Sequence, residues 1–177
     1  MTVIKAKNRE LPGIWMLYRA AFPRAERKPF SVIVKMARTG RADLWTIRRE
    51  GRFAGFAATV NGPELVLLDY FAVRKGLRGR GVGSDALKEL MAHYRDRGFF
   101  VEIESTFEPA DNLPQRRKRK QFYSNCGMEP MGTEADLFGV RMELLGVRCH
   151  LDLEGYRSFY RDNYSPWAAE HIEEAAK

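Results

Sequence analysis

Leu77-Arg-Gly-Arg-Gly-Val-Gly-Ser84 packs three glycines and two arginines into eight residues. Glycines at 79, 81 and 83 let the backbone approach a bulky anion. A helix opening near Ser84 offers that anion unpaired N–H groups and a partial positive charge. Arg78 and Arg80 add charge-assisted donors, and the Ser84 hydroxyl suits either a helix cap or a phosphate contact. In outline this is a pyrophosphate-binding turn. Two other nucleotide loops fail on spacing. A Walker loop ends Gly-Lys-Ser/Thr, whereas this one ends Gly83-Ser84, and a dinucleotide loop wants its third glycine where Ser84 stands.

Glu64 to Val73 is a strongly apolar run and reads as the strand before the loop. After the loop, Ser84 to Arg97 places Ala86, Leu87, Leu90, Met91 and Tyr94 on one helical face, with Gly98 as the expected stop. Phe99 to Ser105 reads as a second strand, so the unit is strand, turn, helix, strand, with parallel pairing and a right-handed crossover expected. Upstream, Leu44 to Arg49 and Phe53 to Val60 form a hairpin around Glu50-Gly51. Leu11 to Phe22 is a helix ended by Pro23, and a short helix at Ser31 to Arg38 is capped by Ser31. Downstream, Gln115 to Asn125 reads as a helix stopped by Gly127, Phe138 to Leu145 as a late strand, and Leu153 to Tyr164 as a C-terminal helix.

The 177 residues suit one domain, with 45% hydrophobic and 30% charged residues, the composition of a globular protein. No apolar run approaches the ~20 residues that cross a bilayer, and Met1 to Glu10 lacks the apolar core of a secretory signal. A cytoplasmic address without membrane contact is therefore expected. The two cysteines, Cys126 and Cys149, form no metal-ligand pattern, so reduced thiols and no metal are expected. The net charge of +7 points to an anionic partner and gathers around Arg74 to Arg80 and Arg116 to Lys120. Nucleic acid is not expected, because neither cluster is accompanied by a recognition motif.

Three motifs in order resemble one family. Arg78-Gly-Arg-Gly-Val-Gly83 is similar to the Arg/Gln-x-x-Gly-x-Gly/Ala signature of the GNAT superfamily of N-acetyltransferases. Leu68 to Val73 resembles the strand that precedes that signature, and Phe100-Val-Glu-Ile-Glu104 resembles the family's fifth strand. Phe122-Tyr-Ser-Asn-Cys-Gly-Met128 is similar to its Phe-Tyr-x-x-x-Gly-Phe helix motif. The resemblance runs loosely from Ile4 to about Leu145. It implies an α/β (α+β) fold: a mixed, mostly antiparallel central sheet with a splayed parallel pair and flanking helices. Residues 147–177 then form an extension outside the family core, expected to pack on it within a single domain spanning 1–177.

By resemblance the acyl donor is acetyl-coenzyme A, with no metal. The main chain of Phe71, Ala72 and Val73 pairs with its pantetheine, and Arg78, Gly79, Arg80, Gly81, Val82, Gly83 and Ser84 surround its pyrophosphate. The acceptor is a small-molecule or peptide amine that attacks directly. Tyr123 stands at the family's general-acid position, where a phenol can protonate the departing thiolate. Strand alternation puts Glu102 and Glu104 on one face, where either can accept the amine's proton, bind a substrate ammonium or pair with arginine side chains. Asp69 is a lesser candidate for those tasks and equally suits an ion pair across the sheet, while Glu26, in the proline-flanked loop from Phe22 to Phe30, suits selecting a cationic substrate or, more simply, a surface salt bridge. The Arg116 to Lys120 run suits the 3′-phosphate of the cofactor or a solvated helix face. In the family's pattern an asparagine about two turns before the tyrosine contacts the cofactor; residue 116 is Arg here, and Asn112 lies further upstream. The aromatic tail, Tyr156, Phe159, Tyr160, Tyr164 and Trp167, suits core packing, an acceptor wall or a homodimer contact. A noncatalytic acyl-coenzyme A sensor with the same fold is the alternative to an enzyme.

Overall fold

The computed structural model describes residues 1–175. Its first half is organised by the Glu50-Gly51 turn. Glu50 (φ 52°) and Gly51 (φ 75°) are both left-handed, the two-residue turn whose twist suits antiparallel strands. It joins β2 (Ala42–Arg49) to β3 (Arg52–Asn61), with Ala42 opposite Val60 and Arg49 opposite Arg52. β1 (Thr2–Lys5) pairs antiparallel with the other side of β2. With β4 (Leu65–Val73), β5 (Gly98–Glu104), β6 (Glu129–Leu137), β7 (Val140–Val147) and β8 (Ile172–Glu174), the sheet order is β1-β2-β3-β4-β5-β7-β6-β8. The β4/β5 pair is parallel and short, Leu65–Leu67 opposite Gly98–Phe100. Six helices accompany the sheet among the described residues: α1 (Leu11–Ala21), α2 (Phe30–Arg38), α3 (Val82–His93), α4 (Leu113–Asn125), α5 (Leu153–Asn163) and α6 (Pro166–Glu170). The expected mixed, mostly antiparallel sheet with one parallel pair is what forms.

The chain divides into two compact units, one made of Met1–Asn61 with Leu68–His93 and one of Gly62–Leu67 with the chain from Tyr94 onward. In the first, α1 and α2 bury Ile14, Tyr18 and Ile33 against Leu44, Phe56, Ala58, Tyr70 and Ala72 of the strands. Each large apolar side chain withdrawn from water here stabilises the fold by about 2 kcal/mol. Gly55 in β3 lies so close to β4 that a Cβ there would sit 2.3 Å from the Ala72 carbonyl oxygen. Any side chain at 55 would push β4 away.

In the second unit, β5 is flanked by β7 as well as β4, with Val101 opposite Leu145 and Glu104 opposite Met142. α5 is capped by Asp152, which accepts from the Gly155 N–H at 2.8 Å, and lays Phe159 edge-on against Phe100 at 5.0 Å between ring centres.

Several boundaries differ from the sequence expectations. Helix α2 starts at Phe30 with Pro29 before it, and Ser31 makes no capping bond. Helix α3 starts at Val82 and ends at His93, because the left-handed Gly81 already completes the turn; Gly98 opens β5, where a Cβ would meet Cys149 and Leu65. The run Phe138 to Leu145 is not one strand: Phe138 and Gly139 are a left-handed turn between β6 and β7.

Candidate active site

The first unit carries the Gly-rich turn that follows β4. β4 ends in Phe71-Ala72-Val73, and a tight 3-10 turn at Lys75–Leu77 leads into the glycines. Gly79 (φ 72°) and Gly81 (φ 77°) both take the left-handed conformation, which a side chain would strain, and nothing lies within 4 Å of where a Cβ at Gly79 would be. The loop is thus an open concave backbone. The Asp85 N–H to Gly81 carbonyl bond, 3.0 Å, begins the helix, so the amides of Val82, Gly83 and Ser84 face out of its N-terminal end. Ser84 is the third residue of α3 and so cannot be its cap. Arg78 donates from Nε to the Val73 carbonyl at 3.0 Å, which fixes its root to the end of β4 and leaves the guanidinium tips at an exposed position. Arg74, Lys75 and Arg80 are exposed as well. This cradle fits a phosphate-bearing ligand.

Asp69, in the same unit, is occupied: Lys28 Nζ lies 2.7 Å from its Oδ1 and 5.6 Å from the centre of the Tyr70 ring. The Tyr70 hydroxyl donates to the Glu26 carbonyl at 3.0 Å and accepts from the Lys28 N–H at 3.1 Å, so the loop between α1 and α2 is laced to β4. Burial is the main cause that drives the Tyr70 phenol far above its ordinary pKa, with Asp69 adding to it. His93 bonds the Val3 carbonyl and stacks beside Trp45, a structural placement.

The second unit holds Tyr123, Glu102 and Glu104. Tyr123 lies near the C-terminal end of α4, where Gly127 (φ 91°) closes the helix and the Met128 N–H donates back to the Tyr123 carbonyl at 3.2 Å. Its side chain is buried, and its hydroxyl makes no hydrogen bond among the described residues. Burial pushes its pKa up to about 12 against a smaller opposing pull from Arg119, so the phenol stays protonated at neutral pH.

Glu102 and Glu104 share one face of β5, as the alternation predicted, while Val101 and Ile103 are buried on the other. Their surroundings differ. Glu104 is held by Arg116 Nη2 at 2.8 Å and Arg119 Nη1 at 3.4 Å, and Asn112 Nδ2 donates to it at 3.4 Å. Glu102 accepts from the Tyr156 hydroxyl at 2.8 Å. Tyr156 sits in the aromatic tail; its spacing with Phe159 and Tyr160 marks a buried helix face, but nothing local reveals that its phenol meets β5.

The Arg116 to Lys120 run is mostly consumed within this unit. Arg116 also donates to Asn112 Oδ1 at 2.7 Å and to the Ser105 carbonyl at 3.1 Å. Lys120 pairs with the buried Glu143 and donates to Thr106 Oγ1 at 3.2 Å. Arg117 and Lys118 are left at the surface. Among the described residues no group of three or more His, Cys, Asp or Glu could hold a metal, and no helix is long and apolar enough to cross a membrane.

A family model, the Acetyltransferase (GNAT) family, matches residues 11–128 of the 177. The chain belongs to the GNAT acetyltransferase family. This acetyltransferase matches a GNAT-family protein from Bacteroides thetaiotaomicron at 18% identity, over 94% of this chain and 99% of that one, with a TM-score of 0.76. An aminoglycoside 6′-N-acetyltransferase solved with coenzyme A is 12% identical, over 83% of this chain and 96% of that one, with a TM-score of 0.67. A ribosomal-protein-alanine N-acetyltransferase from Brucella melitensis is 18% identical, over 83% and 99%, with a TM-score of 0.60. No curated protein matches the chain by sequence. As a GNAT member the protein is an acyltransferase that uses an acyl-coenzyme A.

Proposed function

We propose that this enzyme transfers an acetyl group from acetyl-coenzyme A to a primary amine by direct attack. The observation that carries the reading is the turn from Arg78 to Ser84: two left-handed glycines, a helix N-terminus and exposed arginines on a chain of this family. The amides of Val82, Gly83 and Ser84 and the tips of Arg78 and Arg80 bind the pyrophosphate. The main chain of Phe71, Ala72 and Val73 orients the pantetheine arm.

In the second unit Tyr123 protonates the leaving thiolate. Its buried, protonated phenol, with no acceptor among the described residues, is supportive of that role. Glu102 takes the proton released by the attacking amine, directly or through water. Glu104 is instead engaged as an ion-pair partner by Arg116 and Arg119. The acceptor is a small-molecule or peptide amine; the structural neighbours include enzymes named for an aminoglycoside and for a ribosomal protein's alanine.

The test is thiol release from acetyl-coenzyme A with spermidine, kanamycin and an alanine-ended peptide as acceptors. Tyr123→Phe is expected to bind coenzyme A as the native enzyme does and to lower kcat by roughly 10²-fold. Unchanged kcat removes the acid role. Tight cofactor binding with no turnover on any amine favours an acyl-coenzyme A sensor.

A further inference from the structure

Three buried side-chain atoms lack a hydrogen-bond partner among the described residues: Arg27 Nε, Arg48 Nε and Asn61 Oδ1. Two of these side chains are anchored by their other atoms. Arg48 donates from Nη1 to the Gly51 carbonyl at 3.0 Å and pairs through Nη2 with Glu10, and Asn61 Nδ2 donates to Asp43 Oδ2 at 2.9 Å. Arg27 differs. Its half-buried side chain makes no hydrogen bond and no ion pair among the described residues, with Nε enclosed and the Nη nitrogens accessible. A guanidinium partly withdrawn from water without an acceptor costs stability, and an acceptor supplied from outside the chain offsets that cost.

The surroundings of Arg27 belong to the first unit. The next residue, Lys28, holds the Asp69 carboxylate of β4 at 2.7 Å, so Arg27 does not. The Tyr18 hydroxyl donates to the Lys28 carbonyl at 2.9 Å. Burial raises the pKa of that phenol, and the Arg27 charge acts against the rise, which places the guanidinium within electrostatic reach of the hydroxyl. The same segment is fastened to β4 by Tyr70, through the Glu26 carbonyl and the Lys28 N–H. Asp69 stands two residues before Phe71, on the same face of β4. With the pyrophosphate at Arg78 to Ser84 and the pantetheine along Val73 to Phe71, the thioester end of the donor is directed back toward Asp69. The acceptor then arrives beside Arg27. The charge of the unit agrees: Lys and Arg outnumber Asp and Glu more than twofold in the first unit and are outnumbered in the second.

We propose that Arg27 is a specificity residue that binds a carboxylate of the acceptor, so that the substrate is an amine also carrying a carboxylate, as an amino acid or an acidic peptide does. This rests on the reading of the Arg78 to Ser84 turn and the end of β4 as the acetyl-coenzyme A site. The planar fork of a guanidinium matches the two oxygens of a carboxylate. A polyamine or an aminoglycoside offers no such group and brings further positive charge to a unit already rich in it.

The experiment measures thiol release from acetyl-coenzyme A with matched acceptors: alanine against alaninamide, and amidated Ala-Asp against amidated Ala-Asn. Spermidine and kanamycin serve as carboxylate-free amines. The carboxylate member of at least one pair is expected to have a kcat/KM at least about tenfold higher than its amide. Arg27→Gln is expected to raise KM for that acceptor about tenfold, with kcat and the KM for acetyl-coenzyme A within about twofold of native and the amide unaffected. Arg27→Lys keeps the charge without the fork and is expected to fall between the two. Should Arg27→Gln fail to fold, Arg27→Lys carries the test, with KM raised for the carboxylate acceptor alone.

Equal turnover within both pairs, a preference for spermidine or kanamycin, or a native KM in the Arg27 variants overturns the carboxylate assignment and leaves the acetyltransferase reading standing. No thiol release with any amine overturns both.

Discussion

Two basic clusters of this enzyme have nearly the same composition and opposite fates. Between Arg74 and Arg80 the positive side chains stand at the surface, and the backbone beneath them is bent into left-handed turns around open space. Between Arg116 and Lys120 the backbone is a regular helix, and three of the five side chains are tied to Glu104, Glu143, Asn112, Ser105 or Thr106. A charge run stays available to an outside anion where it stands at the surface over backbone donors, and becomes a structural brace where neighbouring carboxylates engage it. Net charge alone does not distinguish the two.

The bracing cluster depends most heavily on Lys120. Lys120→Ala leaves the carboxylate of Glu143, which is 4% exposed, without its cation. Removing one partner of a buried pair costs about 3 to 5 kcal/mol, and chemical denaturation is expected to show a loss of that order. An unchanged midpoint would mean that this run does not brace the second unit.

A smaller effect comes from the buried phenol on the same helix. Tyr123 ionises near 10 in the unfolded chain and near 12 in the folded one. Between those values the unfolded state has released a proton that the folded state still holds, so stability falls as pH rises from about 10 to 12 and is unaffected below. Native protein is expected to lose about 2 kcal/mol more than Tyr123→Phe across that interval. The same shift keeps the phenol an intact acid throughout the neutral range, and kcat is expected to show no decline from its ionisation below about pH 10. Identical alkaline stability in the two proteins would place the phenol in water.

Smaller again is Gly79→Ala. Space is open where its Cβ would go, so the cost is backbone strain alone, about 1 kcal/mol from the positive φ. Differential scanning calorimetry with and without coenzyme A should show that modest loss together with weaker stabilisation by the cofactor.

Much of the fold was legible because its signals are local. Glu50-Gly51 and the flanking apolar runs specify the hairpin, and the glycines at 79 and 81 specify a turn opening a helix. β6 escaped because Pro130 and Gly132 break the strand pattern, and its pairing with β7 shifts register between Pro130 and Glu134. Phe138 read as a strand residue because its left-handed φ leaves no mark in hydrophobic alternation. The site divides in the same way. The shared face of Glu102 and Glu104 follows from alternation, but their different partners do not: Arg116 lies twelve residues after Glu104, and Tyr156 more than fifty after Glu102. Such long-range pairings depend on how helices settle on the sheet. The bracing of Lys120 by Glu143 was hidden for the same reason.

The most direct measurement is calorimetric titration of coenzyme A into the native enzyme, Arg78→Ala/Arg80→Ala and Arg117→Ala/Lys118→Ala. Both pairs remove two charges, and the last two residues are exposed positions on α4. Binding at least tenfold weaker is expected in the first double variant, the loss expected of charge-assisted hydrogen bonds to phosphate, and binding within about twofold of native in the second. Equal weakening of the two would show that coenzyme A senses overall charge and is not held by the Arg78 to Ser84 turn.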